Sequence, residues 1–207
     1  MGVEMSDEHW VYVVDDDQAM RESLQWLIES DGMRVRTFDS ADAFLKACRP
    51  DWSGCLLLDV RMPGMSGLEL QAYLGRRSIG LPVIIITGHG DVAMAVRAMK
   101  AGALDFIEKP FNDDALLGSI RRALENDDRA RALRSARVDI QSRIKELTPR
   151  EREVMDMVTD GQSNRDIATA LKVSAKTVEV HRSRVMDKMH AGSLAELVRM
   201  VMTVQTT

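Results

Sequence analysis

Short apolar runs alternate with helical patterns through the first 124 residues. Trp10–Val14, Arg34–Phe38, Cys55–Leu58, Val83–Thr87 and Leu104–Glu108 read as strands, rich in Val, Ile and Leu. The third and fourth are apolar without alternation, which suits strands covered on both faces of a parallel sheet. Between the runs lie five helical patterns. Ala19–Ser30 ends near Gly32, a C′ glycine. Ala41–Ala47 follows Ser40 as its cap. Gly67–Arg76 comes next, then Val92–Ala101, capped by Asp91 and stopped by Gly102, then Asp113–Leu124. Strict alternation of five strands and five helices predicts an α/β doubly wound, five-stranded parallel sheet. Its ligand site is expected at the carboxyl ends of the strands.

The pattern changes after Leu124. Residues 125–147 hold no Gly or Pro and are dense in Arg, Ala, Asp and Glu, which predicts a helical linker. Leu133, Ile140 and Leu147 are seven apart, but Arg137 interrupts the seam, so a solvated arm is expected rather than a coiled coil. Residues 148–207 read as helix throughout. Thr148-Pro149-Arg150-Glu151 is a capping box with Pro at N1, and its helix runs to Asp160 and stops at Gly161. Ser163 caps Asn164–Lys172, Ser174 caps Ala175–His190, and Gly192 follows. Ser193-Leu194-Ala195-Glu196 is a second box, opening a helix to about Thr203. Four helices with tight turns make an all-α helix-turn-helix unit. The expected division is 1–124, a linker at 125–147, and 148–207.

Length agrees: 207 residues at roughly 150 per domain give about 1.4, so one large or two small domains. The longest apolar runs, such as Val83–Ile86, fall far short of the roughly 20 residues of a membrane span. Glu4, Asp7 and Glu8 stand where a secretory signal would be basic and then apolar, so a cytoplasmic protein is expected. Cys48 and Cys55 are too few for a disulfide framework and read as small buried residues. The net charge of −4 argues against nucleic acid until it is divided. Residues 1–126 carry 13 Lys/Arg against 20 Asp/Glu; residues 127–207 carry 15 against 12. Within 148–207 the excess falls to 9 against 8, so any basic surface there must come from clustering on one helix. Every Trp, Tyr and Phe lies in the first 111 residues.

Carboxylates collect at the predicted strand ends. Asp15 and Asp16 follow the first strand, Asp59 the third, Thr87 ends the fourth and Lys109 follows the fifth. Each alone has an ordinary explanation: a helix cap, a turn residue, strand-end packing, a solvated lysine. Their joint placement at four strand ends makes them converge on one crevice. Three carboxylates at close range repel, and a hard, oxygen-ligated divalent cation relieves this, Mg²⁺ being suited and Mn²⁺ a possible substitute. Lys109 offers a fixed cation and Thr87 a hydroxyl, which with the metal suit a transferring phosphoryl group. One carboxylate then serves as nucleophile through an acyl-phosphate.

VVDDD at 13–17, LLDVRMPGMSGLEL at 57–70, IIITGHGD at 84–91 and AGALDFIEKPF at 101–111 resemble the receiver domain of two-component response regulators, in order and over about 120 residues. The resemblance implies a flavodoxin-like fold in which Asp59 accepts phosphate from a sensor histidine kinase. It implies that Asp16, Asp59 and the backbone carbonyl of Arg61 ligate Mg²⁺, with Asp15 acting mainly through water. Thr87 and Lys109 would contact the phosphoryl group, and Phe106 would be the switch aromatic. Lys109-Pro110 is commonly cis in such domains. The face made by the fourth helix, fifth strand and fifth helix would respond, commonly by dimerisation. A receiver assists its own phosphorylation and dephosphorylation, so no dedicated enzyme is implied. A Mg²⁺-dependent phosphatase of the aspartyl-phosphate type is the enzyme alternative, but it wants Asp two residues after the nucleophile, where Arg61 stands.

LTPREREVMDMVTDGQSNRDIATALKVSAKTVEVHRSRVMDKM (147–189) resembles the LuxR-type helix-turn-helix of NarL/FixJ regulators, and Glu179–Arg182 with the TGHGD stretch resembles the FixJ-like branch. Val178, Val185 and Met189 share one helical face and read as core. Lys176, Thr177, Glu179, Val180, Arg182 and Ser183 lie toward the N-terminal end, from which a recognition helix reads bases. Thr177, Arg184 and Lys188 suit phosphate contacts, Arg182 suits guanine and Glu179 suits cytosine N4. His181 stays open between a DNA contact and an internal hydrogen bond. The partners implied are double-stranded promoter DNA, RNA polymerase and a second copy after phosphorylation, with no membrane. An output unit that binds another protein is the remaining alternative.

Overall fold

The computed structural model describes residues 9–77, 79–88 and 92–205. Glu4, Asp7, Glu8 and the cap expected at Asp91 lie outside the described residues. Five strands form where the apolar runs stand: β1 (Trp10–Val14), β2 (Arg34–Phe38), β3 (Gly54–Asp59), β4 (Val83–Thr87) and β5 (Asp105–Glu108). All pair in parallel, in the order β2-β1-β3-β4-β5. The direction of winding reverses beside β1, which opens a crevice above the carboxyl ends of β1 and β3. Between the strands come α1 (Gln18–Ser30), α2 (Ala41–Ala47), α3 (Gly67–Arg76) and α4 (Val92–Lys100), and after β5 comes α5 (Asp113–Lys145).

Alternation along the strands divides the core in two. Tyr12, Val14, Leu56, Leu58, Val83 and Ile85 pack with Phe44 of α2, Leu70 and Leu74 of α3 and Ala98 of α4. Val11, Val13, Cys55, Leu57, Ile84 and Ile86 pack with Leu24 and Ile28 of α1 and with Leu116, Ile120 and Ala123 of α5. Both faces of β3 and β4 are therefore buried, which is why their runs are continuous. Each such Leu, Ile or Val contributes about 1.5–3 kcal/mol by leaving water. Cys55 is fully buried, whereas Cys48 is half-buried, contrary to expectation. At the entry to β3, Gly54 has φ +128°, and a Cβ there would stand 1.8 Å from the Trp10 carbonyl oxygen, so only glycine permits this close strand start.

The linker expected at 125–147 is resolved differently. α5 is one 33-residue helix, and the chain divides into two compact units between Ala130 and Arg131. On the sheet unit's side, the buried carboxylate of Asp127 accepts from Ser53 Oγ at 3.0 Å and from the Gly54 amide at 2.9 Å. Asp128 pairs with His9 at 2.7 Å. In the second unit, Ile140, Ile144 and Leu147 are core residues beside Val154, Ile167, Val178 and Met189. Leu133 remains exposed. Arg143 donates to the Met189 carbonyl at 2.9 Å and Arg137 to that of Val204 at 3.0 Å, satisfying carbonyls at helix C-termini that lack an intrahelical partner. The segment is thus not a solvated arm: each end belongs to a folded unit.

The helical unit continues with α6 (Pro149–Thr159), α7 (Asn164–Leu171), α8 (Ala175–Met189) and α9 (Leu194–Gln205). The Thr148/Glu151 capping box forms reciprocally, and so does one at Ser163/Asp166. The box expected at Ser193 closes differently: Ser193 Oγ accepts from the Glu196 amide, but the Glu196 carboxylate reaches back to the Gly192 amide at 2.8 Å. α7 and α8 end one residue earlier than expected, because Lys172 and His190 adopt left-handed conformations with φ of 54° and 53°. The Val173 and Ala191 amides then close onto Ala168 and Met186, a Schellman-type stop made without glycine.

Candidate functional site

The strand ends bring Asp15, Asp59, Thr87 and Lys109 together. Asp15 and Asp59 are buried at the ends of β1 and β3, and Thr87 is buried at the end of β4. Lys109 Nζ lies between the two carboxylates, donating to Asp15 Oδ2 at 2.7 Å and to Asp59 Oδ1 at 3.0 Å. Its amide donates to the Thr87 carbonyl at 2.8 Å, which sets the lysine beside the fourth strand. Lys109-Pro110 is cis, as the resemblance implies.

Each carboxylate is also held from its own loop. Asp15 Oδ1 accepts from the Asp17 amide at 2.9 Å, and Asp59 Oδ2 from the Arg61 amide at 2.7 Å. Gly67, opening α3, allows the approach on the other side: a Cβ there would stand 2.1 Å from the Asp59 carbonyl oxygen. Burial raises the Asp59 carboxyl above the ordinary carboxylate range, outweighing the Lys109 ammonium and the Arg61 amide that act to lower it. Burial acts to lower Lys109, but its hydrogen bonds to Asp15 and Asp59 outweigh that and hold the ammonium more firmly protonated than usual. A buried base near neutrality is thereby avoided, and a fixed positive charge stands beside Asp59.

Asp16 is exposed, away from the lysine bridge. Among the described residues, no three His, Cys, Asp or Glu side chains are gathered as a metal cluster. The chemistry of the donor set nevertheless suits a hard divalent cation, since it is all oxygen. The loop and its neighbours carry four carboxylates, Asp15, Asp16, Asp17 and Asp59, against two hydrogen-bonded cations, Lys109 and Arg21. Arg21 was not evident in the sequence. Its guanidinium donates to the Asp15 carbonyl at 2.8 Å, from six positions away along α1. A positive residue inside an amphipathic helix gives no signal that it turns back to a strand end. Phe106 is half-buried on β5 and packs at the margin of the core on the α3–α4 side.

The second candidate surface is α8. Ser174 Oγ caps it by accepting from the Thr177 amide at 3.1 Å. Lys176, Glu179, Val180, Ser183 and Arg184 are exposed; Thr177, His181, Arg182 and Lys188 are half-buried. Val178, Val185 and Met189 are core, as expected. Five expected DNA contacts have side-chain partners inside the unit, among them Thr177, whose hydroxyl shares a hydrogen bond with Ser174 Oγ at 2.9 Å. Lys176 pairs with Glu179 at 3.3 Å. Arg182 Nη1 donates to Asn164 Oδ1 at 2.6 Å. Lys188 Nζ donates to the buried Glu151 carboxylate at 2.8 Å and to the Glu146 carbonyl at 3.1 Å. The Lys188 ammonium thus ties α8 to α6, a partnership that helix periodicity alone does not reveal. Its hydrogen bond, with those from Thr148, holds Glu151 well below the usual carboxylate range, at about 2. His181 Nδ1 is buried without a hydrogen-bond partner among the described residues.

Comparison with known proteins agrees with both halves. Residues 11–121 match the response regulator receiver domain, and residues 145–201 match the bacterial regulatory proteins of the luxR family. The chain is 49% identical to the transcriptional regulatory protein FixJ of Azorhizobium caulinodans, over 93% of this chain and 91% of that one. It is 46% identical to FixJ of Bradyrhizobium diazoefficiens, over 96% and 97%. A solved structure of the response regulator StyR, 45% identical, covers 94% of this chain and 98% of its own with a TM-score of 0.84. No described helix is long and apolar enough to cross a membrane. The five-stranded parallel sheet with its aspartate-lined strand ends and the capped helical unit that follows it in the sequence are those of a two-component response regulator of the FixJ-like branch, a receiver domain with a LuxR-type helix-turn-helix DNA-binding domain, and the chain belongs to that family.

Proposed function

We propose that Asp59 is the phospho-acceptor through which a sensor histidine kinase controls binding of the C-terminal unit to promoter DNA. The observation that carries this reading is the Asp59 carboxylate held at a strand end against Lys109. In the transfer, an Asp59 oxygen forms a bond to phosphorus as the bond from phosphorus to the kinase histidine nitrogen breaks, and that nitrogen keeps the electron pair. Lys109, already protonated and seated between Asp15 and Asp59, takes up charge on the phosphoryl oxygens, and Thr87 lies at the adjacent strand end to hydrogen-bond them. Asp16, Asp59 and the Arg61 carbonyl would hold Mg²⁺, with Mn²⁺ as a substitute and Asp15 contributing through water. When bound, such an ion neutralises charge on the transferring group.

Phosphorylation of Asp59 raises the negative charge facing Lys109, since the acyl-phosphate adds roughly −1.5 to −2 charge at one point. The equilibrium between receiver conformations moves only as far as that charge favours one of them. Val92, Val96 and Met99 leave apolar surface exposed along α4, beside β5 and Phe106. That supports pairing of two copies through this face after phosphorylation. Two copies place two α8 helices on DNA, which offsets the thin positive excess of a single unit. Lys176, Thr177, Glu179, Val180, His181, Arg182, Ser183 and Arg184 are the proposed contacts, while Lys188 reaches DNA only by leaving Glu151. RNA polymerase as partner and the cytoplasm as location complete the reading.

Asp59→Asn is expected to abolish acyl-phosphate formation from acetyl phosphate while leaving the tryptophan-monitored melting transition in place. Undiminished labelling in that variant would move the nucleophile elsewhere.

A further inference from the structure

Asn164 opens α7, one position past the cap, yet no role follows for it from helix capping. Here the start is complete without it, because Ser163 and Asp166 form a reciprocal box. The Asn164 side chain turns instead to α8. Its Oδ1 accepts from Arg182 Nη1 at 2.6 Å, and the amide orientation is unambiguous because a guanidinium can only donate. This is the single side-chain hydrogen bond of either residue among the described residues.

We infer that Asn164 is a positioning residue for sequence-specific DNA recognition, acting through Arg182. The inference rests on the reading of α8 as the helix that meets DNA. Tying Nη1 leaves the opposite edge of the guanidinium intact. That edge carries Nε–H and one Nη2–H as two parallel donors, the fork that matches guanine O6 and N7. The bond also fixes the guanidinium plane. A free arginine loses rotamer freedom when it docks, whereas one already held by α7 loses less. Arg182 is half-buried and lines a small cavity with Val154, Val158, Val185 and Leu197. Lys176 has a different environment: it is exposed, and its partner among the described residues is Glu179, one turn away. Arg182 thus owes its placement to a separate helix, so a substitution on α7 alters what α8 reads.

The test uses the full chain. Its specific probe is the duplex that the wild-type protein, treated with acetyl phosphate, enriches from a randomised pool; its non-specific probe is poly(dI-dC). Arg182→Ala is expected to lower the ratio of specific to non-specific affinity by about tenfold. Asn164→Ala is expected to lower it by several-fold, and the double variant to be no worse than Arg182→Ala alone, because the two act as one unit. Asn164→Asp keeps the acceptor and is expected to keep the ratio even if overall affinity falls, and the far-UV melting temperature is expected to stay within a few degrees in all three. An unchanged ratio in Asn164→Ala, additive losses in the double variant, or an equal fall on both probes would overturn the positioning role while leaving DNA binding in place. Failure of the wild-type protein to enrich any duplex would overturn the DNA reading itself, and the inference with it.

Discussion

The Glu151–Lys188 pair gives the helical unit a defined acid sensitivity. Glu151 is almost wholly buried at the N-terminus of α6, receives Lys188 at 2.8 Å and closes the capping box on the Thr148 amide at 2.9 Å. Its carboxyl is held at about 2, against 4.5 in a free chain. Because the folded value is the lower one, the ionised form favours folding. The contribution is fully present above about pH 5 and is lost as the pH falls toward 2. At 1.36 kcal/mol per unit the depression corresponds to roughly 3 kcal/mol. Lys188 is a third exposed, so solvent screening brings the figure to about 2 kcal/mol. In a unit of this size that is roughly 8–16 °C of melting temperature. Glu151→Gln keeps a capping acceptor but removes the charge, so at pH 7 it should melt that much lower than the wild-type protein, and the two should converge as the pH approaches 2. The assay separates the two units by optics. All tryptophans and tyrosines lie in the sheet unit, so far-UV circular dichroism at 222 nm follows both units while tryptophan fluorescence follows the receiver alone. A wild-type-to-variant gap that stays constant from neutral to acid pH would refute the reasoning, as would a gap seen by fluorescence.

Two further outcomes follow from the receiver. Asp127→Ala strips the acceptor from Ser53 Oγ and the Gly54 amide at a buried site and should cost about 2–3 kcal/mol, read as a fall of roughly 10 °C in the fluorescence transition. An unchanged transition would mean that α5 beyond Leu124 does not support the sheet. Gly67→Ala forces a methyl group against the Asp59 carbonyl and should cost about 2–3 kcal/mol while slowing acyl-phosphate formation from acetyl phosphate. Wild-type stability with wild-type labelling would show that α3 does not constrain Asp59.

Much of the receiver was legible because its signals are local. The runs at Cys55–Leu58 and Val83–Thr87 are apolar throughout because helices cover both faces of those strands. Asp15, Asp59, Thr87 and Lys109 are readable because the topology forces strand ends together, whatever loops intervene. Ser163, Ser174 and the Thr148/Glu151 box are readable because a cap and its partner lie three residues apart. Bonds between distant positions were not legible. Asp127 looks like any linker acid until β3 is placed beside it, and Arg137 and Arg143 look solvated until the ends of α9 and α8 arrive. Arg182 and Lys188 read as free cations because their partners, Asn164 and Glu151, stand 18 and 37 positions away. The sequence pattern carries α7 and α8 on through Lys172 and His190 because a left-handed stop usually announces itself by glycine.

The all-parallel sheet also bears on how the chain is made. Each ladder joins residues more than 20 positions apart, as in Trp10 with Arg34 and with Gly54, Leu56 with Val83, and Ile84 with Asp105. Such non-local pairing folds over milliseconds to seconds, whereas a small helical bundle closes in microseconds to milliseconds. The slow unit is synthesised first. At roughly 5–20 residues per second the segment from Arg131 onward takes about 4–15 s to translate, longer than the sheet needs to form. Gene order thus matches the kinetics: the quick-folding output module emerges after the switch that governs it has folded, and its apolar helices do not meet an open sheet edge.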